Sequence, residues 1–120
     1  MTGLDVIQKA LLLLNYTDNA GHADSRVSGA AQARGLSILN QLLADAWYAE
    51  HDDTPFVPLN TAAETLPCGD RVAADVLPYG VAMMLAQGEG DGDNQTLFAA
   101  LYNQKRAAYT HTATRENTLP

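Results

Sequence analysis

The chain has 120 residues, 47% of them hydrophobic and 18% charged, which suits one globular domain and excludes compositional disorder. Fourteen acidic residues against seven basic ones leave a net charge of −7, which argues against affinity won by neutralising phosphates and against adhesion to an anionic membrane. No apolar run nears the ~20 residues of a membrane span, no signal-peptide pattern is read at the start, and the one cysteine, Cys68, forms no intrachain disulfide, so composition points to a soluble, acidic, intracellular domain.

Periodicity predicts four helices. The first spans about Leu4 to Asn15. Leu4, Ile7, Leu11 and Leu14 share a face with Ala10, and Thr2 with Asp5 makes a capping-box pattern. Leu12 and Leu13 fall off that stripe, so this helix is apolar all round and calls for a neighbour. Asn15, Asp18, Asn19 and Gly21 mark a turn-rich linker. The second helix runs from Ser25 to Glu50, capped by Asp24 or Ser25. At ~1.5 Å per residue it is about 39 Å long. Leu36, Leu39, Leu43 and Trp47 form its face, widened by Ile38, Leu42 and Ala46. Gly29 and Gly35 weaken its first half by about 1 kcal/mol each.

Pro55, Pro58 and Pro67 exclude regular helix between His51 and Asp70. Phe56 to Leu59 and Glu64 to Leu66 are β-prone runs, which predict a small hairpin leaning on the helices or on a partner. A third helix follows from about Arg71 to Gln87, with Val72, Val76, Tyr79, Met83, Leu85 and Ala86 as its apolar content. Pro78 kinks it or marks its true start. Gly88 is the natural residue to end it. Asp93 or Asn94 caps a fourth helix that reaches about Tyr109. Leu97, Leu101 and Ala108 face inward there with Phe98 and Tyr102, and Lys105 and Arg106 sit in the last turns, where cations suit the helix dipole. The expected fold is all-α: a small four-helix bundle with one long helix, a hairpin or loop insertion at 51–70, and an extended tail. Residues 1–109 form the helical domain and residues 110–120 the tail.

Chemistry-bearing constellations are sparse. His22, His51 and His111 show no metal-ligand spacing and read as solvated loop histidines. Cys68 stands between Pro67 and Gly69 with no histidine near it in sequence, which reads as an incidental thiol. Glu89, Asp91 and Asp93 resemble the opening of a calcium loop. Asn94 then falls where the loop needs glycine, and Ala100 where it needs glutamate. A phosphate loop is also excluded, since no Lys-Ser/Thr follows the glycines and three carboxylates repel phosphate. Asp52–Asp53 beside His51 reads as a solvated acid pair, and no nucleophile elbow is present. Trp47, Tyr48, Tyr102 and Tyr109 are candidate stacking platforms for nucleic acid. They lack the accompanying basic groove and read as core or interface residues. The expectation is a protein without catalytic residues, cofactor or metal.

Three stretches resemble the head–tail connector proteins of tailed bacteriophages, also called portal adaptors or head-completion proteins. They are LNQLLADAWYAE from Leu39 to Glu50, LPYGVAMMLAQGEGD from Leu77 to Asp91, and FAALYNQKRAA from Phe98 to Ala108. The order matches that family, after a short first helix, and the likeness spans about Gly3 to Ala108. The resemblance implies a helical bundle that assembles with copies of itself into a ring, usually of twelve. The ring would dock on the portal protein, extend the DNA channel and receive the tail or the next neck protein. DNA would pass without sequence-specific binding, and no membrane is involved. Family members commonly grip the portal with a C-terminal tail, which here implies Tyr109, Thr110, His111, Arg115, Leu119 and Pro120. The expected location is the virion neck, with host cytoplasm during assembly.

Two physical readings agree with the resemblance. An all-round apolar first helix and a lone hairpin want neighbours. An acidic ring keeps DNA from adhering to the channel wall. The alternatives are another neck component, such as a stopper or tail-completion protein, and a small acidic helical regulator that binds a partner protein. An enzyme ranks third.

Overall fold

The structure, a computed structural model, describes residues 1–14, 25–50 and 54–118, with the side chains of 1–14, 32–49 and 54–109. The turn residues Asn15, Asp18, Asn19 and Gly21, together with His22, Asp24, His51, Asp52, Asp53, Leu119 and Pro120, lie outside the described residues. Five helices follow one another: α1 Gly3–Leu13, α2 Ser25–Glu50, α3 Asp70–Asp75, α4 Leu77–Gly88 and α5 Gly92–Thr118. Among the described residues there is no strand, only an isolated antiparallel bridge between Thr2 and Thr65. The fold is all-α, as the periodicity predicts.

Helix α1 begins on the predicted capping box. The Asp5 amide donates to Thr2 Oγ1 at 3.2 Å, and the Thr2 amide donates to Asp5 Oδ2 at 3.0 Å. These bonds satisfy two amide donors at the helix start. They also hold the Asp5 carboxyl below its ordinary value, the Thr2 backbone bond first and the Thr2 hydroxyl second. A depressed folded pKa stabilises the native state above the unfolded value, and that stabilisation fades as pH falls through the folded value. We therefore expect an acid-side loss of helix stability beginning near the ordinary aspartate pKa of 3.8. Thr2→Ala removes the hydroxyl and keeps the backbone amide that is the larger cause, so it should raise the Asp5 pKa only part of the way to its ordinary value in a carboxyl NMR titration; an unmoved pKa would show that the hydroxyl contributes nothing to holding the carboxylate. Val6, Ile7, Ala10, Leu11 and Leu14 are buried. Leu13 packs partly against the core, whereas Leu12 is 51% exposed.

The expected hairpin does not form in the described part of 51–70. The segment Glu64 to Leu66 pairs with the residues ahead of α1 instead of with Phe56 to Leu59. The Leu66 amide donates to the Met1 carbonyl at 2.9 Å, and the Leu4 amide to the Ala62 carbonyl at 2.7 Å. A lone two-stranded hairpin is marginal in water, and a strand-prone run gains more by pairing where a helix start is already fixed. The Phe56–Leu59 run is held by side chains of α2. Asn40 donates through Nδ2 to the Leu59 carbonyl at 3.0 Å, and its Oδ1 accepts from the Leu59 amide at 2.8 Å. Trp47 Nε1 donates to the Thr54 carbonyl at 2.7 Å, and the Phe56 amide donates to the Tyr48 hydroxyl at 3.1 Å.

The predicted third helix breaks at Val76, whose φ and ψ are −113° and −56°, and restarts as α4 with Pro78 in its first turn. Proline has no amide proton, so in an uninterrupted helix the Ala74 carbonyl would be left without its usual donor. Lys9 Nζ supplies that donor from α1, at 2.6 Å. Helix α4 then runs through the middle of the fold and touches every other helix. Its inward residues are Leu77, Pro78, Gly80, Val81, Ala82, Leu85 and Ala86. The small ones let neighbouring helices approach closely.

The turn after α4 corrects two sequence expectations. The helix runs through Gly88, and the left-handed residue is Gly90, at φ +72°. The Asp91 amide donates to the Ala86 carbonyl at 2.9 Å and the Gly90 amide to the Gln87 carbonyl at 3.2 Å, the two bonds of a Schellman turn. Gly90→Ala should cost about 1–2 kcal/mol, because a Cβ resists positive φ, while Gly90→Asn should cost less. Chemical denaturation of the two variants checks the order. The cap of α5 is Asp91, not Asp93 or Asn94: its Oδ1 accepts from the Asn94 amide at 3.3 Å, and its carbonyl accepts from the Gln95 amide at 2.9 Å.

The register of α5 also differs. Phe98 and Tyr102 are buried and Leu101 is half-buried, but Leu97 is 52% exposed and Ala108 is exposed. The two large rings set the face, and Leu97 is rotated off it. The extended tail is corrected too: residues 110–118 continue α5. No glycine or proline interrupts them, and extending an existing helix avoids the cost of nucleation. Lys105 and Arg106 are therefore mid-helix rather than at its end.

Candidate functional site

Tyr109 is the candidate residue whose surroundings the structure describes most fully. It is half-buried at the edge of the core and stands between two clefts. Thr110, His111 and Arg115 lie on the last turns of α5.

The first cleft, of about 110 Å³, lies between the end of α2, the 54–69 loop and the start of α3. Tyr109 shares it with Trp47, Phe56, Cys68, Leu43 and Val72. The Trp47 and Phe56 rings sit 6.3 Å apart at a tilt of 55°. Cys68 is half-buried and lines the cleft together with Pro67 and Gly69. Burial pushes the Cys68 thiol up, which lowers its thiolate fraction at neutral pH.

The second cleft, of about 300 Å³, lies between α3 and α5. Val76 and Leu101 give it an apolar floor, and Arg71, Asp75, Lys105 and Tyr109 rim it. Lys105 and Tyr109 share this face because they are four residues apart on one helix. Lys105 Nζ donates to Asp75 Oδ1 at 2.9 Å and lies 4.6 Å from the centre of the Tyr79 ring. The hydrogen bond to Asp75 raises the Lys105 pKa above its ordinary value. Tyr79 in turn lies 6.2 Å from the Phe98 ring, which ties the cleft wall to the core. The Tyr102 hydroxyl is pushed up by burial, against the opposing effect of Arg106. Arg71 has no hydrogen bond or ion pair among the described residues.

Sequence reasoning places Tyr109 at an interface but misses Arg71, Asp75 and the cleft they form with Lys105. The i, i+4 pairing of Lys105 with Tyr109 was the legible signal. The approach of α3 was not, because it depends on the break at Val76.

A third, open depression of about 430 Å³ involves Arg34, Ile38, Met84 and Gln87. Arg34 Nη1 reaches Glu89 Oε1 at 3.3 Å there. Several large apolar side chains are exposed: Val57 at 78%, between Pro55 and Pro58, and Tyr48 at 52%. Among the described residues, no three or more His, Cys, Asp or Glu side chains group to hold a metal ion, and no helix is long and apolar enough to cross a membrane. No buried side-chain polar atom among them lacks a hydrogen-bond partner. Among the described residues, the arrangement offers clefts and exposed apolar side chains as surfaces for contact.

No protein-family model, curated protein or solved structure matches the chain.

Proposed function

We propose that the chain is a structural protein of the tailed-phage neck: a ring-forming head–tail connector that docks on the portal, extends the DNA channel and joins capsid to tail. The observation that carries this reading is the likeness of the three stretches 39–50, 77–91 and 98–108 to connector sequences. Their residues Leu42 and Leu43, Leu77 and Val81, and Phe98 and Tyr102 belong to one buried cluster, which fits motifs that describe packing in a shared bundle. Exposed Leu12, Tyr48, Val57 and Leu97 fit a subunit that has neighbours. The net charge of −7 per copy, repeated around a ring, fits a channel through which DNA slides without adhering. The end of α5, from Tyr109 onward, is the segment we assign to the portal.

Electron microscopy of the full chain, alone and mixed with its portal protein, tests this. A monomer alone is compatible with assembly that waits for the portal. We expect rings on the portal, and loss of those rings when residues 110–120 are deleted. No rings and no portal binding in either sample would sink the connector reading in favour of a small acidic helical regulator.

A further inference from the structure

A ring of identical acidic subunits meets an electrostatic difficulty at each contact. Every copy carries −7, so net charge disfavours contact between copies, and a cation in the interface offsets part of that repulsion. Most described cations are already engaged within the chain. Lys9 is held by the Ala74 carbonyl, Arg34 by Glu89 and Lys105 by Asp75. Arg106 lies on α5 and does not line the cleft between α3 and α5. Arg71 makes no such contact among the described residues, and unlike Arg106 it lines a cleft beside apolar side chains. It stands on the rim of the cleft between α3 and α5, above the apolar floor of Val76 and Leu101.

We propose that this cleft is the seat of a second copy of this chain, with Arg71 meeting a carboxylate of the neighbour and Val76 and Leu101 receiving an apolar side chain beside that carboxylate. The occupant is argued from charge. A copy of this chain offers fourteen acidic residues and only seven basic ones, so it supplies what an unpaired guanidinium takes. The guanidinium is also the cation best shaped to grip a carboxylate at two points. In this proposal the neighbour's carboxylate lies outside its own copy of the cleft, which makes the contact head-to-tail, the kind that generates a ring when its rotation closes. This inference rests on the ring reading above.

The test compares wild type with Arg71→Gln and Arg71→Glu on the portal, by electron microscopy at matched protein concentration. Arg71 is exposed, so both variants should keep the helical circular-dichroism spectrum and melting curve of wild type. We expect ring closure to fall at least tenfold for Arg71→Gln and to vanish for Arg71→Glu, with isolated subunits still decorating the portal. Complete rings with Arg71→Glu would overturn this contact and leave the ring reading standing. A bare portal with Arg71→Glu would also overturn it, because Arg71 would then be gripping the portal rather than a neighbour. Absence of rings in wild type would overturn the ring reading and this contact together.

Discussion

Gly80→Val should destabilise the fold by about 3 kcal/mol, and Gly80→Ala by about 1–2 kcal/mol. Gly80 lies at the crossing of α4 with α2 and α5. A Cβ built there would stand 2.7 Å from Tyr102 Cε1 and 2.9 Å from Leu42 Cδ1. Two effects compete. Replacing a helical glycine by alanine is intrinsically favourable by about 1 kcal/mol. Forcing an atom into a filled interior costs typically about 1–3 kcal/mol. Tyr102 is buried and its ring is rigid, so the overpacking wins. Valine adds two further atoms to the same closed space. Because domains hold only about 5–15 kcal/mol in total, the valine variant should be near the edge of folding. Denaturant titration reads both variants as a lowered midpoint with an unchanged slope. An alanine variant more stable than wild type would mean that Tyr102 and Leu42 give way without cost.

Lys9→Met should cost about 1–2 kcal/mol, because the hydrogen bond it removes has a charged donor but its acceptor is only half-buried. The acceptor is the Ala74 carbonyl, which lost its helical donor to Pro78 and takes the Lys9 ammonium at 2.6 Å. Methionine keeps the apolar stem and removes only the hydrogen bond. A double-mutant cycle with Pro78→Ala isolates the cause. Alanine at position 78 restores the amide that an uninterrupted α3–α4 helix would offer to the Ala74 carbonyl, so the two helices can join there. The cost of Lys9→Met should then shrink by more than half in the Pro78→Ala background. An equal cost in both backgrounds would show that Lys9 stabilises α1 by some other route.

These two sites share a feature that explains what sequence reading reaches. Pro78 is visible in the sequence as a helix breaker, and Lys9 as an isolated charge among apolar residues. Nothing in the spacing says that one repairs the damage of the other, because they are brought together only when α1 lies along the α3–α4 bend. Gly80 is similar. It reads as a weak helix residue, and only the crossing of three helices makes it the residue with room to spare for none.

Local chemistry was legible wherever a residue acts on its own neighbours. The capping box of Thr2 and Asp5 and the buried stripe of Ile7, Ala10, Leu11 and Leu14 follow from spacings of three and four. So do the extent of α2 and the interruption at Pro78. Each is fixed by backbone geometry over a turn or two, which sequence spacing states directly. Tertiary structure decided the rest. It sent Thr65 to Thr2 rather than to Phe56–Leu59, since a β-prone run pairs with whatever extended backbone the fold presents. It turned α5 so that Phe98 and Tyr102 face inward and Leu97 outward, since the largest rings claim the space left by Gly80. It put the left-handed turn at Gly90 rather than Gly88, and it set Arg71 beside Lys105 and Tyr109. Those contacts join residues far apart in the chain, and their energies depend on which surfaces meet, a quantity that no local spacing records.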